Sequence, residues 1–326
     1  MGAKDENNVN DLLQKFEKVL SLLNKYCEKS KSSFSENISF LLDKSLDHLK
    51  QLDIEDAKGS HTCDVVHTSL IQNRNVKHFF DEVLKVSKAS NIHTSILTFA
   101  IDLLTQLTRN ENRFQLMYAE SPNIFVQVRQ LTETTVIEGS EFKQSILNLF
   151  LSLAKFKAGQ NWLLNSGTLL FIIESLSDRT VFTRKTAQEV MITVLPQLDE
   201  APREEVLKKL LKPIHNAGNK LENNQIESDK LKPYFAVLES CVELSLISGK
   251  QSDKIGASLL SLSADITLHK IASNAQIEQL LIRAGSLLVA IYAKGALECE
   301  NERIALEAKT STLVQLILRR GFLRST

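Results

Sequence analysis

The sequence is poor in the residues that break helices and in those that build catalytic loops. Its 326 residues include only 11 glycines and 5 prolines, too few for the many special turns of a sheet-rich fold. This scarcity of glycine argues against a phosphate-cradling loop, and no GxSxG, HExxH or dinucleotide-binding motif is present. We therefore predict an all-α protein that is not an enzyme and needs no cofactor.

An excess of charge of either sign is also missing, because 39 Lys and Arg residues balance 39 Asp and Glu residues. No summed field draws the chain to nucleic acid or to anionic lipid. Four widely spaced cysteines (Cys27, Cys63, Cys241 and Cys299) are typical of free thiols in a reducing compartment. The N-terminus is polar, and no uncharged apolar run reaches about 18 residues. We expect a cytoplasmic and nuclear protein without a membrane span.

Apolar residues at steps of three and four recur along nearly the whole chain, as amphipathic helices require. Pro122 and Pro202 fall near predicted helix starts, and the main internal loop is predicted at Asn216–Lys230. We predict helix stops at Gly159, Gly167, Gly218 and Gly249. After two N-terminal helices, helices are predicted at about 62–72, 76–87, 91–108, 111–119, 122–131, 140–156, 160–165, 167–176, 179–196, 201–215, 228–247, 253–269, 275–294 and 298–320.

The chain also repeats itself weakly. TSILTFAIDLLTQ (Thr94–Gln106) aligns with QSILNLFLSLAKF (Gln144–Phe156) at an offset of 50 residues, and two aromatic pairs align at 48 and 46 (Phe114 with Trp162, Phe125 with Phe171). Three-helix units of this length are typical of armadillo repeats. The predicted fold is an armadillo/HEAT-type α-solenoid, a right-handed superhelix of stacked repeats. One solenoid spans 1–326, with an N-terminal helical pair at 1–60, the clearest repeats at 61–200 and further helical repeats at 201–326.

Possible sites of chemistry have simpler structural interpretations. His61, Cys63 and His67, with His78 nearby, could supply zinc ligands, but the pattern also fits the polar face of a helix start, and we predict no metal. Aromatic residues at helical spacing are assigned to the core; they are Phe79, Phe80, Phe99, Phe114, Phe125, Phe150 and Trp162.

Two basic clusters could contact nucleic acid. They are Lys208-Lys209-Lys212 and Arg319-Arg320-Arg324. Neither is interleaved with aromatic residues, which argues against nucleic-acid binding. The first cluster follows the acidic pair Glu204-Glu205, an order that suits the dipole of a helix.

One stretch, 76–198, carries a run of distinctive segments in a fixed order. They are EVLKV (Glu82–Val86), SILTFAIDLLTQL (Ser95–Leu107), ENRFQ (Glu111–Gln115), LFLSLAKF (Leu149–Phe156), WLLNSGTLLFIIESLSD (Trp162–Asp178) and VFTRKTAQEVMITVL (Val181–Leu195). This run resembles the N-terminal region of the BRCA-associated ATM activator (BRAT) family.

The resemblance implies a non-catalytic HEAT/armadillo scaffold. It implies partners in the DNA-damage response, through the checkpoint kinase ATM and the breast-cancer susceptibility protein, and binding to the endonuclease module of the Integrator complex. Family members are longer and end in a Cys-Tyr tail, which the terminal Ser325-Thr326 does not match. Two alternatives remain, a generic armadillo adaptor in transport or trafficking and a nucleic-acid-binding repeat protein.

The final segment combines an apolar stripe with a weakly polar last turn. Leu316, Phe322 and Leu323 would be left with little to pack on. Terminal solenoid repeats need a polar outer face, so we expect a further repeat, a partner or a second copy to cover this end.

Overall fold

The computed structural model describes most of the chain between residues 62 and 248, and little outside it. Regular structure in the described part is helical, with no strand, so the predicted all-α class is confirmed. The predicted C-terminal helices and the segment around Leu316, Phe322 and Leu323 lie outside it. The described residues are 14–23, 40, 42–47, 49–50, 62–85, 87, 92–134, 140–220 and 228–248, with single positions 255, 258, 259, 262, 268 and 287.

Three consecutive groups of helices follow one another with short connections. The helical stretches 14–23 and 42–47 precede them. The helices are α1 (Thr62–Gln72), α2 (Arg74–Val83), α3 (Thr94–Leu107), α4 (Glu111–Glu120), α5 (Pro122–Glu133), α6 (Ser140–Leu153), α7 (Lys157–Asn165), α8 (Leu169–Ser175) and α9 (Val181–Val194), then a 3₁₀ turn (Leu195–Gln197), α10 (Glu200–Lys220) and α11 (Ser228–Ser248).

Helices at corresponding places in these groups stack on one another. The first helices contact in the order α1, α4, α7, the second helices α2 and α5 contact each other, and the third helices α3 and α6 form the most extensive pairing. Stacking of this kind is how a solenoid builds a shared core from units that cannot bury their own apolar faces. The predicted armadillo/HEAT-type α-solenoid is confirmed.

The spacing of the repeats corrects the sequence alignment. Helix α3 begins at Thr94 and α6 at Ser140, 46 residues later, and the same spacing separates α4 at Glu111 from α7 at Lys157. The predicted offset of 50 for Thr94–Gln106 is therefore wrong by four residues, which is about one helical turn. An apolar stripe that slips by one turn still matches itself, so the pattern alone did not fix the register.

Two of the predicted helix stops are also wrong. Gly159 lies inside α7, and Gly218 lies inside α10, which continues to Lys220 and shortens the predicted loop Asn216–Lys230. Gly159 is needed for packing, since a Cβ there would stand 2.2 Å from the carbonyl oxygen of Leu153. Gly167 does end a helix, with a φ of +79°, a backbone conformation that glycine adopts without strain. Gly249 lies outside the described residues.

A connected set of aromatic rings, here called the aromatic column, fills the core of the second and third groups. It runs from Phe114 on α4 to Phe125 on α5 at 5.2 Å between centroids, to Trp162 on α7 at 5.6 Å, and on to Phe150 on α6 at 6.0 Å. Phe171 on α8 closes it, 6.2 Å from Phe150. The assignment of aromatic residues to the core is confirmed for Phe79, Phe80, Phe99, Phe114, Phe125 and Phe150, whereas Trp162 is partly exposed.

Polar side chains tie one group of helices to the next. Helix α7 follows Phe156, which offers no side-chain cap, and the carboxylate of Glu111, from the first turn of α4, accepts the N–H of Ala158 instead at 3.0 Å. Lys77 on α2 pairs with Glu120 at the end of α4, with 2.6 Å between Nζ and Oε2. A helix start left without a partner would expose unsatisfied N–H groups. The second group of helices, through Glu111, therefore supplies the cap that the third group lacks.

The Cα positions cluster into two compact units, Met1–Phe171 and Ile172–Thr326. In the second unit, α11 packs on both α9 and α10. Arg203 is buried in the first turn of α10, where Nη1 donates to the carbonyl of Leu198 at 3.0 Å and Nε donates to Ser258 Oγ at 3.4 Å. The division of the chain into 1–60, 61–200 and 201–326 stays a prediction.

Cys241 on α11 is a buried free thiol. Desolvation by burial raises the pKa of this thiol to about 12, so the reactive thiolate does not form near neutral pH. The expectation of free thiols is confirmed for Cys241. Cys27 and Cys299 lie outside the described residues, as does the side chain of Cys63.

Candidate protein-binding surface

Of the four candidate zinc ligands, only His67 and His78 have side chains in the described part of the chain, and their environments differ. His67 is buried in the core, whereas His78 is exposed on α2. Within the described residues, no group of three or more His, Cys, Asp or Glu side chains could hold a metal ion. Because His61 and the side chain of Cys63 lie outside them, the absence of a metal site stays a prediction.

The first basic cluster forms an ordinary solvated helix face. Lys208, Lys209 and Lys212 are exposed on α10, and Lys209 Nζ lies 2.9 Å from Glu205 Oε1, one turn earlier. The hydrogen bond from Lys209, and then its charge, lowers the pKa of Glu205. The second cluster, Arg319-Arg320-Arg324, lies outside the described residues. Among the helices that can be searched, none is both long and apolar enough to cross a membrane.

A continuous polar surface runs along the paired third helices α3 and α6. We call it the polar ridge and define it by Thr98, Asp102, Gln144, Ser145 and Asn148. Thr98 and Asp102 lie one turn apart on α3, as do Gln144 and Asn148 on α6, and a hydrogen bond between Asp102 and Ser145 joins the two helices. Asn148 is exposed, Thr98, Asp102 and Gln144 are partly exposed, and Ser145 is buried where the two helices meet.

Asp102 is the charged centre of this ridge. Partial burial raises the pKa of its carboxyl group, and the hydrogen bond donated by Ser145 opposes that shift. Two more distant charges add smaller effects, since Lys50 lowers the pKa of Asp102 and Asp43 raises it. The hydrogen bond from Ser145 therefore holds the carboxylate in place, but it does not fully replace the hydration that the charged group loses on burial.

The other ridge residues carry amide and hydroxyl groups. Gln144 Nε2 donates to Asn148 Oδ1 at 3.2 Å, which leaves the amide N–H groups of Asn148 directed at solvent. The buried Oγ1 of Thr98 has no hydrogen-bond partner among the described residues. Side-chain amides can both donate and accept, so this surface can satisfy the backbone groups of a polypeptide laid along it. It offers neither a nucleophile with an adjacent base nor a ligand set for a metal.

The polar ridge is not apparent from the sequence alone. A signal was present, because Asp102 interrupts the apolar run TSILTFAIDLLTQL and Asn148 interrupts SEFKQSILNLFLSL. Polar residues within such a helix mark the face that the neighbouring helices do not cover. Only the pairing of α3 with α6, however, shows that the two interruptions lie on one surface.

Replacing Asp102 by Asn is expected to raise the free energy of unfolding at pH 7. The folded state holds the Asp102 proton more tightly than the unfolded chain does. This group's contribution to stability is therefore present at low pH and is lost as the pH rises from the ordinary aspartate pKa through the raised one. Ser145→Ala removes the donor and is expected to cost about 1–2 kcal/mol at pH 7.

Urea unfolding at pH 5 and pH 7 measures both effects. Asp81→Asn, at an exposed position of α2, is the matched control and should change stability by less than about 0.5 kcal/mol. A loss of stability in Asp102→Asn at pH 7 equal to that in Ser145→Ala would contradict the assigned environment.

No family model matches the chain, and no protein of curated function matches its sequence. Solved structures do match, at low identity. An engineered protein from a structural genomics consortium is 12% identical, with a TM-score of 0.48, over 85% of this chain and 96% of that one. Computationally designed armadillo repeat proteins for modular peptide recognition are 13% identical, with a TM-score of 0.40, over 75% of this chain and 98% of theirs.

A designed armadillo repeat protein in complex with the peptide (KR)4 is 14% identical, with a TM-score of 0.39, over 76% of this chain and 98% of that one. At such values the similarity says nothing about function. The fold assignment rests on the stacking of the helices, and the sequence comparisons give no support to the resemblance to the BRAT family.

Proposed function

We propose that this chain is a protein-binding scaffold without catalytic activity and that its polar ridge is a binding surface. The observation that carries the proposal is the hydrogen-bonded polar surface on the paired third helices. Its amide and hydroxyl groups cross from one repeat to the next, whereas the other faces of α3 and α6 are buried in the core. A row of donors and acceptors on a rigid repeat scaffold suits an extended polypeptide segment.

The specific partners in this proposal come from the resemblance alone. They are factors of the ATM and breast-cancer susceptibility pathway, or subunits of the Integrator endonuclease module, met in the nucleus and the cytoplasm. The run of segments between 76 and 198 is what supports them. A fold does not determine a function, so a generic armadillo adaptor is the competing outcome of the test.

Affinity purification of the tagged full chain from cells tests both levels. The double variant Gln144→Arg/Asn148→Arg places two bulky cations on the polar ridge, and circular dichroism checks that it stays folded. We expect it to reduce recovery of the specific partners at least tenfold, because an uncompensated charge in an interface costs a few kcal/mol, and about 1.4 kcal/mol already corresponds to a factor of ten. Gln130→Arg, at an exposed position on α5, is the control and should leave recovery unchanged.

The outcomes separate the alternatives. Recovery of checkpoint or Integrator subunits that depends on Gln144 and Asn148 supports the whole proposal. Recovery of trafficking factors with the same dependence supports the scaffold and rejects the BRAT-type partners. Partners that bind the double variant as well as the wild type would reject the polar ridge as the binding surface.

A further inference from the structure

The first turn of α9 exposes two adjacent large apolar side chains. Phe182 is 73% exposed, the highest value for a large hydrophobic side chain in the described residues, and Val181 is 50% exposed. Phe40, the next most exposed, lies against a cation, with Lys44 Nζ 4.5 Å from its ring centroid. An exposed phenylalanine next to an exposed valine is the kind of apolar patch that marks a contact site.

Helix α9 does not need these two side chains for its own packing. Its buried face is formed by Thr183, Ala187, Val190, Met191 and Val194, and it packs on α11 within its own unit. Residues 181 and 182 precede that face and project away from it. Since burial of a phenylalanine is strongly favourable, a side chain left this exposed has its stabilising contact still to make.

The charges around the apolar pair are mainly positive. Arg179 precedes it and Lys185 follows it by one turn, both exposed, and the Arg184 guanidinium is fixed beside them by hydrogen bonds from Nη1 to the carbonyls of Asp178 and Arg179. The positive end of the α9 dipole adds to the same sign.

Two acidic residues lie nearby in the sequence, Asp178 just before α9 and Glu189 within it. The carboxylate of Asp178 accepts the N–H of Thr180 at 2.8 Å, so part of its hydrogen-bonding capacity is used within the turn. Glu189 is exposed one turn beyond Lys185, farther from the apolar pair than the cations are. The charge next to Phe182 therefore favours an anionic partner.

The position of Phe182 connects this patch with the proposed function. Phe182 is the second residue of α9, the third helix of its group, where α3 has Ser95 and α6 has Glu141. The corresponding positions of α3 and α6 are thus polar, whereas that of α9 is apolar and has cations beside it in the sequence. A partner segment matched to this place needs an apolar side chain with carboxylates beside it.

We propose that the first turn of α9 is a docking site for an acidic partner segment anchored by an apolar side chain, with Val181 and Phe182 contacting the anchor and Arg179 and Lys185 contacting the flanking carboxylates. The proposal rests on the proposed scaffold function and deepens it, because it states the chemistry of the segment that is bound.

Selection from a random peptide display library on the full chain tests this directly. Enriched peptides are expected to carry an aromatic or aliphatic residue beside Asp or Glu. Phe182→Ser is expected to weaken the binding of one enriched, labelled peptide about tenfold, as loss of an interface anchor typically does. Lys185→Glu should weaken it further and reduce the dependence of binding on salt. Val126→Ser, which removes a side chain that is 51% exposed on α5, is the matched control.

Each other outcome would overturn the docking site. If binding depends on Gln144 and Asn148 but not on Phe182, the site is rejected while the scaffold function stands. Enrichment of basic peptides rejects the stated chemistry, and enrichment of none counts against both the site and the scaffold. If sedimentation shows that Phe182→Ser abolishes self-association of the chain instead, the occupant is a second copy and not an acidic segment.

Discussion

Gly159→Ala is expected to lower the free energy of unfolding by about 3 kcal/mol, the range of overpacked cores. The added Cβ would stand 2.2 Å from the carbonyl oxygen of Leu153 and 2.8 Å from the ring of Phe156. The first of these neighbours is backbone at the end of α6, so it cannot swing aside as a flexible side chain would. Relief requires α7 to move away from α6.

Helix propensity alone predicts that Gly159→Ala raises the free energy of unfolding, so a decrease would identify the close packing as its cause. Gly159 lies within α7, and replacing glycine by alanine in a helix interior normally stabilises by about 1 kcal/mol. The energetic cost of the steric clash at Cβ must exceed that gain for the substitution to destabilise the protein. Gly167→Ala is the comparison, since a Cβ there meets nothing within 4 Å and acts only through the φ of +79°, with an expected cost of about 1 kcal/mol. Denaturant unfolding in which Gly159→Ala is more stable than wild type would show that the two helices are not packed as described.

Phe125→Ala is expected to cost about 3–5 kcal/mol, as removal of a fully buried aromatic ring does. Phe125 is 1% exposed, and its ring contacts Phe114 on one side and Trp162 on the other, at 5.2 and 5.6 Å between centroids. Its loss interrupts the aromatic column between α5 and α7 and leaves a cavity that the rigid neighbours fill only partly.

The chain supplies its own reporter for this change. Trp162 is the single tryptophan, so the intrinsic tryptophan fluorescence of the folded protein comes from the aromatic column. A red shift of the emission should accompany the lost stability in Phe125→Ala, because water gains access to the indole ring. Val126→Ala, at the adjacent exposed position on α5, should change stability by less than about 0.5 kcal/mol. Unchanged emission together with a cost below 1 kcal/mol would contradict the position of Phe125 in the core.

The sequence predicted the helices well because each buries one stripe of apolar residues, and periodicity reports that stripe directly. It predicted the register of the repeats poorly for the same reason. A stripe that recurs every three or four residues matches itself after a slip of one turn, and the alignment of Thr94 with Gln144 instead of Ser140 is that slip. Helix starts, which depend on caps and on contacts between groups, distinguish the two alignments.

The roles of glycines and surface residues cannot be predicted from local sequence, because they depend on contacts with residues distant in the sequence. Gly159 resembles a helix stop until α6 is seen to press on α7. Asp102 and Ser145 lie 43 residues apart, and nothing local indicates that they share a hydrogen bond. The apolar periodicity was sufficient to predict the helical scaffold. The surfaces that can bind a partner become apparent only when the helices are packed together.

The carboxylate of Glu111 at the start of α7 has a consequence for synthesis on the ribosome. Helix α4 leaves the exit tunnel before α7, so the carboxylate that will accept the Ala158 N–H has already emerged when that amide appears. Short isolated helices are marginal in water, and α7 has 9 residues. It can therefore form on a template that carries its missing cap and need not nucleate alone. Folding can then proceed from the N-terminus, one group of helices after another, and loss of the Glu111 carboxylate would delay the formation of α7.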